Sequence, residues 1–515
     1  MNFTAPPFCF FMPNIYTKKE SYVNEFGLPF HGRIGRLVIL SYQIDEDLIE
    51  NINKFVDRKL CPDYDYFESY KDILEFDIIY SLIHVKIDNL IIDLSNPEFN
   101  ILKQIEFIDR TNRFKRIRLK SLKFLQNLIN LRSVEYLKTT ISIMYPFPDY
   151  LELFPNLKNF EINYAGFERI PGNGFSCLKQ LEVLSIKPSG FISNNAFRGL
   201  DSLKKLYVIG VFNVKLENDT FKELNNLEEL IIDTYNVTSV EPNTFEYLKK
   251  LTTLFIDSNK IEKIDLNGLN SLKHFYFKGG KNKLVFDSNF FKNRLNVTVI
   301  DLEDSIYCQL PADIFIELKC LKYLSICDRR IISNDDKIMT NFDFLKPLNK
   351  LEYLRLALSE DLYSNFNQIK LPCVKFLSIK CRIFKVLENN FENLVTLEIK
   401  MLEKLEPGCF DKLKGIKNLL LIFHNEKRVD YIDSKYFATL DNLDYLKARS
   451  WSGRPIGLDK FDSFLQMFDK GKKLNKDIRD SYAEVSNENV EIDIYSGLTN
   501  ETKEAINFSR NAISR

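Results

Sequence analysis

The sequence predicts an α/β solenoid: a curved parallel β-sheet on the concave face, an irregular or short-helical return on the convex face, and helical caps. Two independent periodicities predict it. The first is an apolar triplet at i, i+3 and i+5. It is clearest from Leu227 to Lys260, where Leu227, Leu230 and Ile232 give way to a polar turn and the pair Val237 and Val240, and the triplet returns 24 residues on at Leu251, Leu254 and Ile256. The residues at i+3 and i+5 alternate as in a strand. The second is a phenylalanine between triplets, with leucine three residues later (Phe245, Leu248), which suits a helical turn on the way back. Such a unit cannot bury its apolar edge alone and must stack on copies of itself.

The triplet recurs from Leu157/Phe160/Ile162 to Leu443/Leu446/Ala448 as thirteen copies whose starts lie 20 to 30 residues apart. The return position is held by Phe175, Phe197, Phe221, Phe245, Phe291, Phe315, Phe410 and Phe437, which on stacking would form a phenylalanine spine in a chain with 43 Phe and one Trp. The pattern resembles the leucine-rich repeat family in its 24-residue form, LxxLxLxxNxLxxLxxxxFxxLxx. One departure stands out. The family's asparagine, eight positions after the first leucine, is clear only at Asn259; Ser189, Tyr235, Gly280, Ser305 and Ser359 hold it elsewhere. Turn amides then need other partners, at about 1 to 3 kcal/mol for each left unpaired, and irregular curvature is expected.

A solenoid escapes the usual domain-size limit, so 515 residues read as one elongated array with flanks. The expected divisions are 1–85, an N-terminal flank or cap; 86–450, the array; and 451–515, a C-terminal helical cap and polar tail. In the first, Ile34/Leu37/Ile39 has the triplet spacing and the next copy is Ile87/Leu90/Ile92. Between them Ile44 to Leu60 reads as an amphipathic helix, with acids before its apolar positions and basic residues near its end. It serves either as a cap or as a docking helix. Phe114/Ile117/Leu119 and Val134/Leu137, the latter out of register, lead into the regular array. Insertions at Arg329 to Phe342 and His424 to Asp433 should protrude from one edge. Leu458, Phe461, Phe464, Leu465 and Phe468 lie at helical spacing for a cap, and the polar tail carries a short helix from Asn500 to Ile513 but is otherwise expected to be partly disordered.

Charge is balanced, with 71 basic and 71 acidic residues, so no global field draws the chain to nucleic acid or an anionic membrane. No stretch reaches the roughly 18 uninterrupted apolar residues of a membrane span; Ile73 to Leu94 is broken by Glu75, Asp77, Lys86 and Asp88. The N-terminus is a poor signal peptide. Nine scattered cysteines, without the clustered terminal pairs of the family's secreted members, point to a reducing compartment and to thiols acting as small buried hydrophobes. The expected location is intracellular, the cytoplasm, or the host cytoplasm for a viral protein, since the Lys, Asn, Ile, Phe and Tyr bias suggests the AT-rich genome of a protist or large DNA virus. Sequons at Asn2, Asn218, Asn236, Asn296, Asn500 and Asn507 are about as many as chance supplies.

No catalytic set emerges. The four histidines are dispersed, no CxxC or phosphate loop exists, and Cys320 with Cys327 makes a weak metal pair. Enzymatic activity, cofactors and metals are therefore not expected. What remains is the concave face, where the resemblance implies that partners bind. In the triplet the leucines face the core, while positions two, three and five point outward. Position five brings Tyr207, Ile231, Phe255 and Tyr276 into one column, and position three aligns Tyr323, Tyr353 and Phe376. Contiguous exposed aromatics of this kind suit an interface hot spot, or else merely cover the sheet. The leading expectation is a monomeric, non-enzymatic scaffold binding a protein through these seven residues. The alternatives are a secreted or cell-surface receptor-like ectodomain and a substrate adapter for an enzyme complex such as a ubiquitin ligase.

Overall fold

The computed structural model describes residues 36–41, 73–77 and 104–109, most of 132–424 and 434–450, residues 482–486 and most of 494–514. The chain divides into two compact units, residues 1–237 with 241–251 and residues 238–240 with 252–515.

Among the described residues of the first unit the concave strands are β1 (Arg36–Ser41), β2 (Ile73–Asp77), β3 (Gln104–Asp109), β4 (Tyr136–Thr140), β5 (Asn159–Ala165), β6 (Val183–Pro188), β7 (Lys205–Gly210) and β8 (Glu229–Thr234). All pair in parallel. From β4 to β8 the partners run Leu137, Phe160, Leu184, Leu206 and Leu230, so every repeat contributes its second apolar residue to one buried row. Val134 and Leu137 are thus in register, contrary to the sequence expectation. Thr139, opposite Ile162, holds the third triplet position and had disguised the copy. Strand β3 also lies where no copy was expected: Leu102, Ile105 and Phe107 have the triplet spacing, and Ile105 pairs with both Leu37 and Leu137.

The return path is a chain of turns. Each Phe carbonyl accepts the N–H of the leucine three residues on, at 2.9 Å for Phe175 and Leu178 and 3.0 Å for Phe245 and Leu248. That turn aims every ring into the stack: Phe175, Phe197, Phe221 and Phe245 follow at centroid spacings of 6.1, 6.2 and 6.1 Å with planes within 13°. Two residues after the ring the backbone turns left-handed, at Gly199 (φ 82°) and at Glu223 (φ 76°). The Glu223 carboxylate accepts the Gly199 N–H at 3.2 Å and pairs with Arg198 at 3.1 Å, tying one turn to the next.

In the second unit the parallel strands are β9 (Thr253–Ser258), β10 (His274–Gly279), β11 (Val299–Asp301), β12 (Tyr323–Ile326), β13 (Tyr353–Ala357), β14 (Phe376–Lys380), β15 (Thr396–Leu402), β16 (Asn418–Phe423) and β17 (Tyr445–Ser450). They pair in sequence order. The last parallel strand does not end as a bare edge: β18 (Tyr482–Ser486) adds to β17 antiparallel, with Leu446 opposite Val485. Covering an edge in this way removes a row of open backbone donors and acceptors.

The missing asparagine ladder has a replacement. The residue just before the triplet reaches back one repeat and donates to a backbone carbonyl: Asn156 to Arg132 (2.9 Å), Ser202 to Lys179 (2.8 Å) and Asn226 to Asp201 (2.8 Å) in the first unit. Asn393 to Pro372 (2.7 Å) and Asn442 to Lys414 (2.9 Å) do the same in the second. The ladder has moved to the other side of the strand, so the turn groups there are not left unpaired.

Several expectations lie outside the described residues: the amphipathic segment Ile44 to Leu60, the triplets Ile87/Leu90/Ile92 and Phe114/Ile117/Leu119, nearly all of both insertions, the cap at Leu458 to Phe468, Cys327, and Asn259. Among the described residues no helix is long and apolar enough to cross a membrane.

Candidate functional site

The concave columns form as the spacing requires. Phe255 lies opposite Tyr276, and that column continues through Asp301, Ser325, Arg355, Ser378 and Glu398. Beside it Tyr323, Tyr353 and Phe376 stack face to face, at 4.5 Å and 7° and then 4.9 Å and 22°. In the first unit Tyr207 lies opposite Ile231, and its hydroxyl donates to Glu229 at 3.2 Å.

Their exposure is where the structure departs from expectation. Phe255, Tyr276, Tyr323, Tyr353 and Phe376 are each no more than 6 % exposed, Ile231 is also buried, and only Tyr207 is partly open. The physical reason in the second unit is the chain's own C-terminus. Residues 494–509 run across the concave face from β15 back to β9, ending in the helix Asn500–Ser514. The expected short helix forms, but it is packed against the sheet and is not a loose tail.

The segment is held along its length. Thr396 donates to the Ile494 carbonyl at 2.7 Å, and the Tyr495 ring continues the aromatic stack, 5.5 Å from Phe376. At Gly497 the backbone turns left-handed (φ 79°), and its carbonyl accepts from Lys375 Nζ at 2.5 Å. The Glu352 carboxylate meets the helix N-terminus, accepting the Thr499 N–H at 2.9 Å and the Thr502 hydroxyl at 3.3 Å. An acid there satisfies an orphan donor and complements the helix dipole.

Inside the helix the sheet-facing stripe is Glu501, Thr502, Ala505, Ile506, Phe508 and Ser509, the spacing of one helical face. Thr502, Ala505 and Ile506 are buried. Phe508 lies against Tyr276 (4.4 Å, 32°) and Phe255 (5.9 Å, 66°), and Ser509 donates to Asp301, which also accepts the Tyr323 hydroxyl at 3.1 Å. Burial above all, with Asp301 beside it, pushes the Tyr323 phenol well above its usual range. Glu501 accepts from Thr298 at 2.6 Å and Lys322 at 2.9 Å, and lies 3.5 Å from His274 Nε2. Burial opposes ionisation of Glu501, but the bonds from Thr298 and Lys322 outweigh it and hold its carboxyl below its usual value. Burial likewise lowers the His274 imidazole, with Glu501 opposing.

The seven expected residues therefore fall into two groups. Five line the surface beneath the C-terminal segment, while Tyr207 and Ile231 belong to the first unit. Sequence reasoning passed over the other half of the contact: Glu501, Phe508, Ser509 and Tyr495, and the position-two residues Lys322, Glu352 and Lys375 that grip them. The stripe in residues 500–513 was a visible signal that the helix packs against something. Of the five described cysteines, Cys381 and Cys409 are buried, Cys320 and Cys373 half-buried, and Cys177 exposed, so burial accounts for fewer thiols than expected. Among the described residues no group of three or more His, Cys, Asp or Glu side chains is arranged to hold a metal ion.

A family model for the leucine-rich repeat matches residues 225–284. No curated protein matches the chain. Solved structures similar to it include TLR13 in its complex with ssRNA13, at 18 % identity and a TM-score of 0.48, covering 71 % of this chain and 57 % of that one. Toll of Drosophila, in its complex with Spatzle, is 17 % identical with a TM-score of 0.43, covering 63 % of this chain and 39 % of that one. A leucine-rich repeat protein of Leptospira interrogans is 16 % identical with a TM-score of 0.42, covering 63 % of this chain and 85 % of that one. The chain thus spans little more than half of the TLR13 chain and well under half of the Toll chain. Residues 225–284 thus carry the leucine-rich repeat, and with its triplets, phenylalanine spine and parallel ladder the chain has the leucine-rich repeat solenoid fold.

Proposed function

We propose that this protein is a non-enzymatic scaffold that takes a protein partner on the concave face of residues 252–402. The observation that carries this reading is the pair of aromatic clusters, Phe255 with Tyr276 and Tyr323 with Tyr353 and Phe376, with a polypeptide segment already seated on both. A surface that accepts a helix through ring stacking, a partly exposed carboxylate–lysine pair and backbone hydrogen bonds has the chemistry of a protein interface. Positions two, three and five, which the fold leaves free of core duty, supply all of it. An intracellular setting is part of the proposal and rests on the dispersed cysteines alone; Tyr207 and Ile231 of the first unit are proposed separately as partner-contacting residues there.

Affinity capture of the tagged full chain, beside Tyr353→Ala and Tyr276→Ala variants whose folding is verified by circular dichroism, tests this reading. Loss of the same partner from both variants supports it. Equal capture by all three chains would move the interface elsewhere. Mass spectrometry of the bait reports the compartment, because glycans on Asn218 or Asn296, or disulfides among the cysteines, would favour a receptor-like ectodomain instead.

A further inference from the structure

The C-terminal segment shows what this surface recognises. Its helix offers a carboxylate at Glu501, an aromatic ring seven residues on at Phe508, a hydroxyl next to it at Ser509, and small or aliphatic residues at Ala505 and Ile506 between them. The sheet offers a matching set. Lys322, Thr298 and His274 surround the carboxylate, Phe255 and Tyr276 flank the ring, and Asp301 accepts from the hydroxyl. Glu352 meets the helix N-terminus and Lys375 the turn before it. All these contacts are made by residues at least 122 apart in sequence. The same contacts are open to a helix supplied by another chain once this one leaves.

We infer that the concave face of residues 252–402 is a receptor for a short amphipathic helix with an acidic residue seven before an aromatic one, and that helix Asn500–Ser514 is its resident occupant. A protein partner of this chemistry binds by displacing it. The inference rests on the proposed binding role and specifies its ligand. Three features favour a displaceable occupant. Glu501 is only partly covered, with 28 % of its side chain exposed, its partner Lys322 is 30 % exposed, and the Phe508 ring is half-buried. The resident helix lowers the partner's apparent affinity by the fraction of molecules in which it is docked.

The test uses a fluorescently labelled synthetic peptide of residues 494–515 and the full chain in three forms: wild type, Phe508→Ala and Glu501→Lys. Fluorescence anisotropy should show both variants binding the wild-type peptide at least tenfold more tightly than the wild-type chain does. A peptide carrying the Phe508→Ala change should bind none of them. If Phe508→Ala compromises folding, Glu501→Lys carries the test, since it alters only a partly exposed pair. Folded variants that gain no peptide binding would overturn the inference and leave the helix a fixed cap. Partner capture that depends on Tyr353 and Tyr276 while the peptide fails to bind would overturn it and leave the scaffold reading standing.

Discussion

The Phe508 ring lies 4.4 Å from that of Tyr276, with planes inclined by 32°, although the two residues are separated by most of the second unit. This pair joins the last helix of the chain to the sheet and turns an open concave face into a filled one. Phe508 is the largest side chain on the docked stripe, so its truncation should release the helix while leaving the repeats intact. A loss of about 2 kcal/mol is expected, below the roughly 3 to 5 kcal/mol of a fully buried Phe→Ala because the ring is only half-buried. Limited trypsin digestion of Phe508→Ala should accelerate cleavage after Lys503 by more than tenfold, since cleavage follows the population of the open form.

Docking should weaken in acid. The Glu501 carboxyl is held below its usual value when docked, so the helix contact is fully present above the free carboxyl's range and is lost as pH falls through the lowered docked value. The His274 imidazole is also lowered, by burial above all, with Glu501 and Glu504 of the helix opposing. The charged groups facing this pair are Lys322, Lys273, Glu504 and Glu352. Hydrogen–deuterium exchange at residues 501–509, corrected for the intrinsic pH dependence of amide exchange, should rise toward the acid end between about pH 8 and pH 4. In Glu501→Gln the dependence near the carboxylate range should vanish.

The phenylalanine spine should be the most sensitive part of the first unit. Phe221 is 1 % exposed and stacks on Phe197 and Phe245. Phe221→Ala leaves a cavity between two rings and should cost about 3 to 5 kcal/mol. Urea unfolding followed by far-ultraviolet circular dichroism would register a lower midpoint, and Phe221→Leu should recover more than half of the loss.

Much of this was legible in the sequence because the repeat fixes register. Once Leu230 and Leu254 are read as core, Ile231 and Phe255 must point the other way, and the observed pairing agrees through β17. The copies at Leu137 and Ile105 were obscured where a threonine stands in the triplet or where isoleucine-rich sequence offers several overlapping frames. What no spacing revealed was the covering of the face. Glu501 meets Thr298 and Lys322 at separations of 203 and 179 residues, and a helical stripe states only that a partner exists, not which surface supplies it. The relocated ladder was hidden for a different reason: Asn156, Asn226, Asn393 and Asn442 precede the triplet, outside the frame in which the family asparagine was sought.

Thiol reactivity should follow burial. Cys177 is exposed and should react with a maleimide in the native state, whereas Cys409 and Cys381 should react only on unfolding. Burial foremost pushes the Cys381 thiol up to about 12, which leaves almost no thiolate at neutral pH. Peptide mapping of the labelled protein would check the order, and native labelling at Cys381 or Cys409 would contradict the burial assigned to them.

The most direct test of the central claim is hydrogen–deuterium exchange on the full chain, wild type beside Phe508→Ala. A docked helix protects the amides of residues 501–509 in the wild type, and Phe508→Ala releases them while the amides of Phe376–Lys380 and Thr396–Leu402 stay protected. Rapid exchange at 501–509 in the wild type, or identical protection in both chains, would contradict the docking of this helix through Phe508.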